Sequence, residues 1–246
     1  MPGLLCIYAH PDDELYCAGL LVKLCSQAIP VHLLCVTRGE GGWLGNPPLA
    51  TRETIGKVRE QEMRCSAEVL GATTLDFLDY IDPVGDGQPK APRHNPSKFR
   101  AQISKAIERL SPEVVLTHGS DGEYGHPAHK LVHRVVRDAV ILQGNTAPLL
   151  YSFSAFHESP GRYSELNMND RAHFVLDISP YYEKVVAAFE CHRSQWGGWI
   201  RHTSDETSRP VTLADYVSSE MTEAFRRHWP PAKGIPDDTM PKWLEG

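Results

Sequence analysis

Short apolar runs alternate with helix-period segments along most of this 246-residue chain, and that alternation restricts the fold more than any single motif. Leu4–Tyr8, Val31–Thr37, Thr73–Leu78 and Glu113–Thr117 read as short strands buried on both faces, as in a parallel sheet. Helical spacing follows each of them. The segments are Glu14–Ser26, about Thr51 to Leu70 with Gly71 placed as a C-cap, Ser97–Leu110, and a helix opening at Pro127 and running to about Leu142. Pro148–Phe156 and His173–Ile178 read as further strands and Tyr181–His192 as another helix. Arg201–Arg209 reads as a polar loop, and Leu213 to about Trp229 as a last helix before a proline-bearing tail. The pattern predicts an α/β, doubly wound, mostly parallel sheet with helices on both faces, in three layers.

Composition narrows the function classes. Hydrophobic residues make up 41% and charged residues 23%, the profile of a soluble globular chain. A formal net charge of -6 leaves no basic excess for neutralising phosphates, so no nucleic-acid partner is expected. No run approaches the roughly 20 apolar residues that a membrane helix needs, and no membrane insertion is expected. The six cysteines are scattered without a CxxC pair, which fits a reducing, cytoplasmic setting, although an even count leaves a disulfide open.

The chemistry gathers in loops that follow strands. The first strand ends in His10-Pro11-Asp12-Asp13-Glu14, the second in Arg38–Trp43, and the fourth in His118–His129. Ligands of open α/β sheets bind beyond the carboxyl ends of strands where the strand order reverses. If the first strand lies between the second and the fourth, the His10 turn and the His126–His129 turn are neighbours. Taken alone, the acids after His10 fit macrodipole compensation at a helix start as well as half a metal site. A lone His-x-x-His pair is equally open. Together, His10, Asp13 and His129 supply two imidazoles and a carboxylate, a common ligand set for catalytic zinc with water in the remaining position. Asp12 then stands as a general base and His126 as a donor to an oxyanion or a leaving nitrogen, with Tyr124 a further donor to the oxyanion. Glu62 falls on the apolar stripe of its helix one turn from Arg59, as a buried pair or as part of a pocket. The Gly39–Gly42 loop matches neither the Walker nor the dinucleotide fingerprint, so a nucleotide-dependent oxidoreductase is excluded.

Ala9-His10-Pro11-Asp12-Asp13-Glu14 resembles the signature of the PIG-L/LmbE-like family of zinc-dependent de-N-acetylases. Thr37-Arg38-Gly39-Glu40 is similar to the second loop of that family, Arg59-x-x-Glu62 with Leu70-Gly71 to its helix motif, and Gly125-His126-Pro127-Ala128-His129 to its His-Pro-x-His motif. Lys184 and His192-x-Ser194-Gln195 resemble a later segment, so the likeness runs over roughly residues 3 to 195. It implies a Rossmann-like core over 1–195, with 196–246 an extension on the same domain acting as a lid or an interface, to which Trp199, Trp229 and Trp243 belong. It implies a zinc-dependent hydrolase that removes an N-acetyl group from an N-acetylglucosaminyl-type substrate. One Zn2+, or another divalent transition metal, would rest on His10, Asp13 and His129, with Asp12 as base and His126 and Tyr124 assisting. Arg38, Glu40 and Arg59 would contact the small-molecule substrate. The family also implies a homo-oligomer. Ala128 stands where many members carry an aspartate, which leaves the protonation state of His126 open. Two alternatives keep the same residues: an amidase acting on a thiol conjugate or an acylated natural product, and a non-catalytic sugar- or metal-binding protein.

Overall fold

The computed structural model describes residues 3–85, 87–159, 162–163, 166–219 and 221–232. In chain order the elements are β1 (Leu4–Tyr8), α1 (Ala18–Ser26), β2 (Val31–Cys35), α2 (Ile55–Leu70), β3 (Thr74–Phe77), α3 (Pro96–Leu110), β4 (Val114–Thr117) and α4 (Pro127–Ile141). Then come β5 (Leu149–Ser152), the two-residue strands β6 (Glu158–Ser159) and β7 (Arg162–Tyr163), β8 (Phe174–Asp177), α5 (Tyr182–Cys191), α6 (Arg193–Thr207), α7 (Leu213–Ser218) and β9 (Thr222–Trp229). A 3-10 turn over Asp13–Cys17 leads into α1.

All of β1 is buried, and its alternation divides the core. Leu4, Cys6 and Tyr8 pack with Leu21 and Leu24 of α1, Met63 and Leu70 of α2 and Val185 of α5. Leu5 and Ile7 pack on the other face with Phe99 and Ile103 of α3 and Val132 and Val136 of α4. Each such aliphatic side chain contributes roughly 1.5–3 kcal/mol relative to exposure, which is why a five-residue strand can anchor three layers. The seven-stranded sheet has the order β3-β2-β1-β4-β5-β9-β8. The five strands from β3 to β5 run parallel, while β9 runs antiparallel to both β5 and β8. β1 thus lies between β2 and β4, and the strand order reverses there as expected from the sequence.

Two expectations in the C-terminal part fail. Arg201–Arg209 is no loop for most of its length, because α6 extends to Thr207. Leu213–Trp229 is not one helix; it forms the short α7 and then β9 inside the sheet. The charge-rich run Glu223-Ala224-Phe225-Arg226-Arg227 hid the strand. Glu223 tolerates burial because its carboxylate accepts from the Gly19 N–H at 2.7 Å and the Leu20 N–H at 2.9 Å. Those are free donors at the start of α1. Trp199 packs against Phe189 and Tyr216, and Trp229 against the layer holding α3 and α4. Trp243 lies outside the described residues.

Cysteine use also departs from free thiols throughout. Cys65 of α2 and Cys191 of α5 form a disulfide, while Cys6, Cys17, Cys25 and Cys35 remain free. The pair is 126 residues apart in sequence and is brought together only by helix packing, so spacing carried no sign of it. Among the described residues no helix is long and apolar enough to cross a membrane.

Candidate active site

The turn after β1 is built around a strained residue. Asp12 has φ 94, a left-handed conformation that costs a non-glycine residue about 1–3 kcal/mol. Surrounding bonds hold it there. The Asp12 N–H donates to Glu14 Oε2 at 3.0 Å, and the Leu15 N–H donates to the Asp12 carbonyl at 3.1 Å. Glu14 is itself fixed by His192 Nε2 at 2.5 Å. Burial would raise the Glu14 carboxyl and lower His192, but each favours the charged form of the other, so Glu14 titrates low and His192 high. The strained backbone aims consecutive carboxylates in different directions. The Asp12 carboxylate meets Arg59 Nη2 at 2.9 Å, and Asp13 Oδ2 accepts the His10 N–H at 2.7 Å.

His10, Asp13 and His129 converge. His10 Nδ1 lies 3.2 Å from His129 Nε2 and 3.5 Å from Asp13 Oδ2, and His129 Nε2 lies 3.3 Å from Asp13 Oδ1. Tetrahedral ligands about 2.0–2.2 Å from one ion stand about 3.3–3.6 Å apart, and these separations are of that size, with His10 facing Oδ2 and His129 facing Oδ1 of Asp13. Donor atoms of His10, His126 and His129, and of Asp13, His118 and His129, also fall within 4.8 Å of one another. Charge supports the fit, because Asp13 and Asp82 flank His10 on both sides. Burial disfavours a proton on His10, yet the two carboxylates hold one up to about 10, and a cation at the same place would compete with it. Burial also opposes ionisation of Asp13, but His129, His118 and the hydrogen bond from His10 keep its carboxyl well below the usual range.

His129 is oriented from behind. Its Nδ1 meets Glu123 Oε2 at 2.5 Å, which puts the proton on Nδ1 and leaves Nε2 bare toward Asp13 and His10. Burial lowers the His129 pKa, as suits a neutral ligand. The same Glu123 oxygen accepts from His118 Nδ1 at 2.9 Å, while His118 Nε2 accepts the Ala9 N–H at 2.9 Å. That backbone donor fixes His118 as neutral even though Glu123 and Asp13 would raise its pKa to about 9. The other Glu123 oxygen accepts the Gly119 N–H at 2.9 Å and Asn167 Nδ2 at 3.1 Å.

His126 caps α4, its Nδ1 accepting the Ala128 N–H at 3.2 Å. The proton of the neutral ring is therefore on Nε2. Burial, with His10 and His129 nearby, lowers the pKa to about 3, so His126 is a neutral donor at working pH. The backbone of Ala128 thus sets the tautomer without an aspartate at that position. Burial raises the Asp12 carboxyl and Arg59 pulls it back, leaving it at about 6. Tyr124 is 62% exposed, its ring edge-on to both His126 and His129.

Not every expected residue arrives here. Arg59 does, bonded to Asp12 and to the carbonyls of Pro11 at 2.5 Å and Gly39 at 2.9 Å. It does not pair with Glu62, which accepts from the Ser194 N–H and Oγ, each at 2.7 Å. Glu40 stays one layer out, where its Oε2 accepts the Asp82 N–H at 2.9 Å. Arg38 turns away to Glu60 at 2.6 Å and Asp79 at 3.1 Å, its guanidinium over Phe77. Sequence reading missed Asp82, Glu123 and the role of His118. Asp82 and Glu123 sit in loops without periodicity, and only the fold places them beside histidines.

Known proteins share sequence and fold with this chain. The profile of the PIG-L family, described as GlcNAc-PI de-N-acetylase, matches residues 5–140. A relative from Bacillus anthracis, named "Probable N-acetyl-alpha-D-glucosaminyl L-malate deacetylase 2", is 29% identical over 214 residues, covering 85% of this chain and 88% of its own. The N,N'-diacetylchitobiose deacetylase of Pyrococcus horikoshii superposes with a TM-score of 0.64 at 19% identity, covering 92% of this chain and 83% of its own. GalB, the 4-carboxy-2-hydroxymuconate hydratase of Pseudomonas putida KT2440, superposes with a TM-score of 0.67 at 21% identity, covering 95% of this chain and 99% of its own. At those identities the two structures establish the shared fold and leave the chemistry to the site residues.

Proposed function

The chain belongs to the PIG-L family, and from that premise we propose that it is a metal-dependent hydrolase removing the N-acetyl group from an N-acetylglucosaminyl compound. The single observation that carries the reading is the meeting of His10 Nδ1, His129 Nε2 and the Asp13 carboxylate at 3.2–3.5 Å, with His10 and Asp13 on the turn that also aims Asp12 and His129 brought in by α4. A non-catalytic binding protein would not need a strained Asp12 held against a buried arginine beside the ligands.

We infer that His10, Asp13 and His129 would hold one zinc ion. That ion, when bound, would supply Lewis-acid polarisation of the acyl carbonyl and of a water molecule. Asp12 takes the proton of the attacking water, its carboxylate kept ionised by Arg59 at 2.9 Å. The oxyanion that develops on the acyl oxygen is met by the Nε2–H of His126, whose neutral form is enforced by burial and by its α4-capping bond. Tyr124 stands over the same histidines as a second donor. Asp12 then returns its proton to the departing nitrogen, the C–N bond breaks, and acetic acid and the amine leave, to become acetate and ammonium in water. Asp82 and Glu40, tied together at the mouth, offer acceptors for sugar hydroxyls.

The test is release of acetate with appearance of a primary amine from methyl N-acetylglucosaminide, measured with zinc-reconstituted protein. Stoichiometric acetate and amine support the proposal. No amine from a panel of N-acetylglucosaminyl compounds, with one metal bound per chain, would falsify it.

A further inference from the structure

The loops around the charged centre also carry exposed apolar side chains. Trp43, Leu49, Ile81, Val84 and Tyr124 are exposed large apolar side chains on the loops that follow β2, β3 and β4, and Met168 is another between β7 and β8. Ile81 and Val84 flank Asp82, whose carboxylate lies 3.4 Å from His10 Nε2 and accepts the Gly41 N–H at 3.1 Å. Trp43 is anchored through its backbone. Its N–H donates to Gln195 Oε1 at 3.3 Å, and its carbonyl accepts from Gln195 Nε2 at 2.9 Å. Gln195 is in turn tied to Ser194 Oγ at 2.7 Å, and Ser194 to Glu62 of α2. The indole rests on Gly198 of α6, where any side chain would overlap the ring. The ring nevertheless remains 49% exposed. Its neighbour Gly42 packs on the guanidinium of Arg59, the residue that holds Asp12.

We propose that Trp43 is a rigid aromatic platform for the aglycone of the glycoside deacylated at this centre, so that the substrate class is an N-acetylglucosaminide bearing a flat or apolar aglycone. The inference rests on the deacetylase reading above and specifies its substrate. With the acetamido group at His10, Asp13 and His129, the charged layer beside them is Asp82 against His10, Glu40 bonded to the Asp82 N–H, and Arg59 against Asp12. Trp43 lies beyond Gly42 and the guanidinium, outside that layer, and meets what the sugar carries. A pre-ordered indole loses little entropy on stacking, and one aromatic contact changes binding about tenfold.

The experiment compares phenyl and methyl N-acetylglucosaminide as substrates of the zinc-reconstituted protein, with Trp43→Leu and Trp43→Phe alongside. The expected result is a KM about tenfold lower for the phenyl glycoside at similar kcat, a preference that Trp43→Phe keeps and Trp43→Leu reduces below about threefold. Gly198→Ala, which pushes a methyl into the ring's seat, is expected to match Trp43→Leu. Equal KM values for the two glycosides with the parent protein overturn the platform alone, and that result needs no variant. Equal losses on both glycosides in Trp43→Leu, or a changed elution volume on gel filtration, assign the ring to folding or to subunit contact and also overturn it. Hydrolysis of neither glycoside overturns the platform, and the deacetylase reading falls with it when the wider panel of N-acetylglucosaminyl compounds also yields no amine.

Discussion

Glu123→Gln is the substitution whose effect can be worked out most fully from the geometry. The carboxylate accepts four donors: His129 Nδ1 at 2.5 Å and His118 Nδ1 at 2.9 Å on one oxygen, the Gly119 N–H at 2.9 Å and Asn167 Nδ2 at 3.1 Å on the other. An amide of the same shape has one accepting oxygen and one donating nitrogen. The Gly119 N–H cannot change its role, so the oxygen stays there and the new NH2 faces the two imidazoles. His118 cannot retreat either, because its Nε2 accepts the Ala9 N–H at 2.9 Å and its proton must remain on Nδ1. His129 can retreat only by moving its proton to Nε2, the atom that faces His10 and Asp13. That tautomer closes the metal position. Loss of such an orienting partner lowers metal affinity by about 10–100-fold, or about 1.4–2.7 kcal/mol. The buried donor facing His118 costs a further 1–3 kcal/mol, roughly, in metal-free stability. Zinc affinity by competition with a chromophoric chelator, with thermal melting of the metal-free protein, reads both. Affinity within about twofold of the parent would refute the orienting role of Glu123.

Further outcomes follow from the same site. As the proposed base, Asp12 must be ionised, so kcat/KM is expected to rise with pH through its pKa; burial places that near 6, and a bound cation would lower it. Arg59→Met removes the guanidinium and is expected to move this acidic limb upward by about 1–3 pH units, read from the pH profile of kcat/KM. An unmoved limb would mean another group is the base. His126→Ala is expected to keep one metal per chain while kcat falls about 10²–10³-fold, since its N–H serves only the developing charge. Glu223 carries a stability prediction away from the site. Burial raises its pKa from 4.5 to about 8, so the folded state binds the proton more tightly than the unfolded one. Its contribution is full below pH 4.5 and is lost as pH rises to about 8. Glu223→Gln should flatten the dependence of Tm on pH in that window.

The α/β alternation and the place of β1 between β2 and β4 were legible because buried parallel strands are short, apolar and separated by amphipathic helices. The nearness of the His10 turn to the His126–His129 pair was legible because both follow strands, β1 and β4, that the pattern places side by side. What was not legible depends on tertiary contact. Glu62 reads on its stripe as a partner for Arg59, yet Arg59 is drawn to Asp12 and Glu62 to Ser194, whose element arrives 132 residues later. Arg38 shares a motif with Glu40 but points from the opposite side of its loop, toward Glu60 and Asp79. Glu123 gave no sign because a second-rank acid in a glycine-punctuated loop looks like any solvated one. β9 gave none because its charges are matched by α1 and by neighbouring strands.

The central claim is that His10, Asp13 and His129 hold the metal while Asp12 activates water for attack on an N-acetyl group. Acetate release from N-acetylglucosaminide by Asp12→Ala, at the parent's metal content, tests it most directly. A protein that retains one metal per chain and loses at least about 10²-fold in kcat is the predicted result. Acetate release at the parent's rate would contradict it.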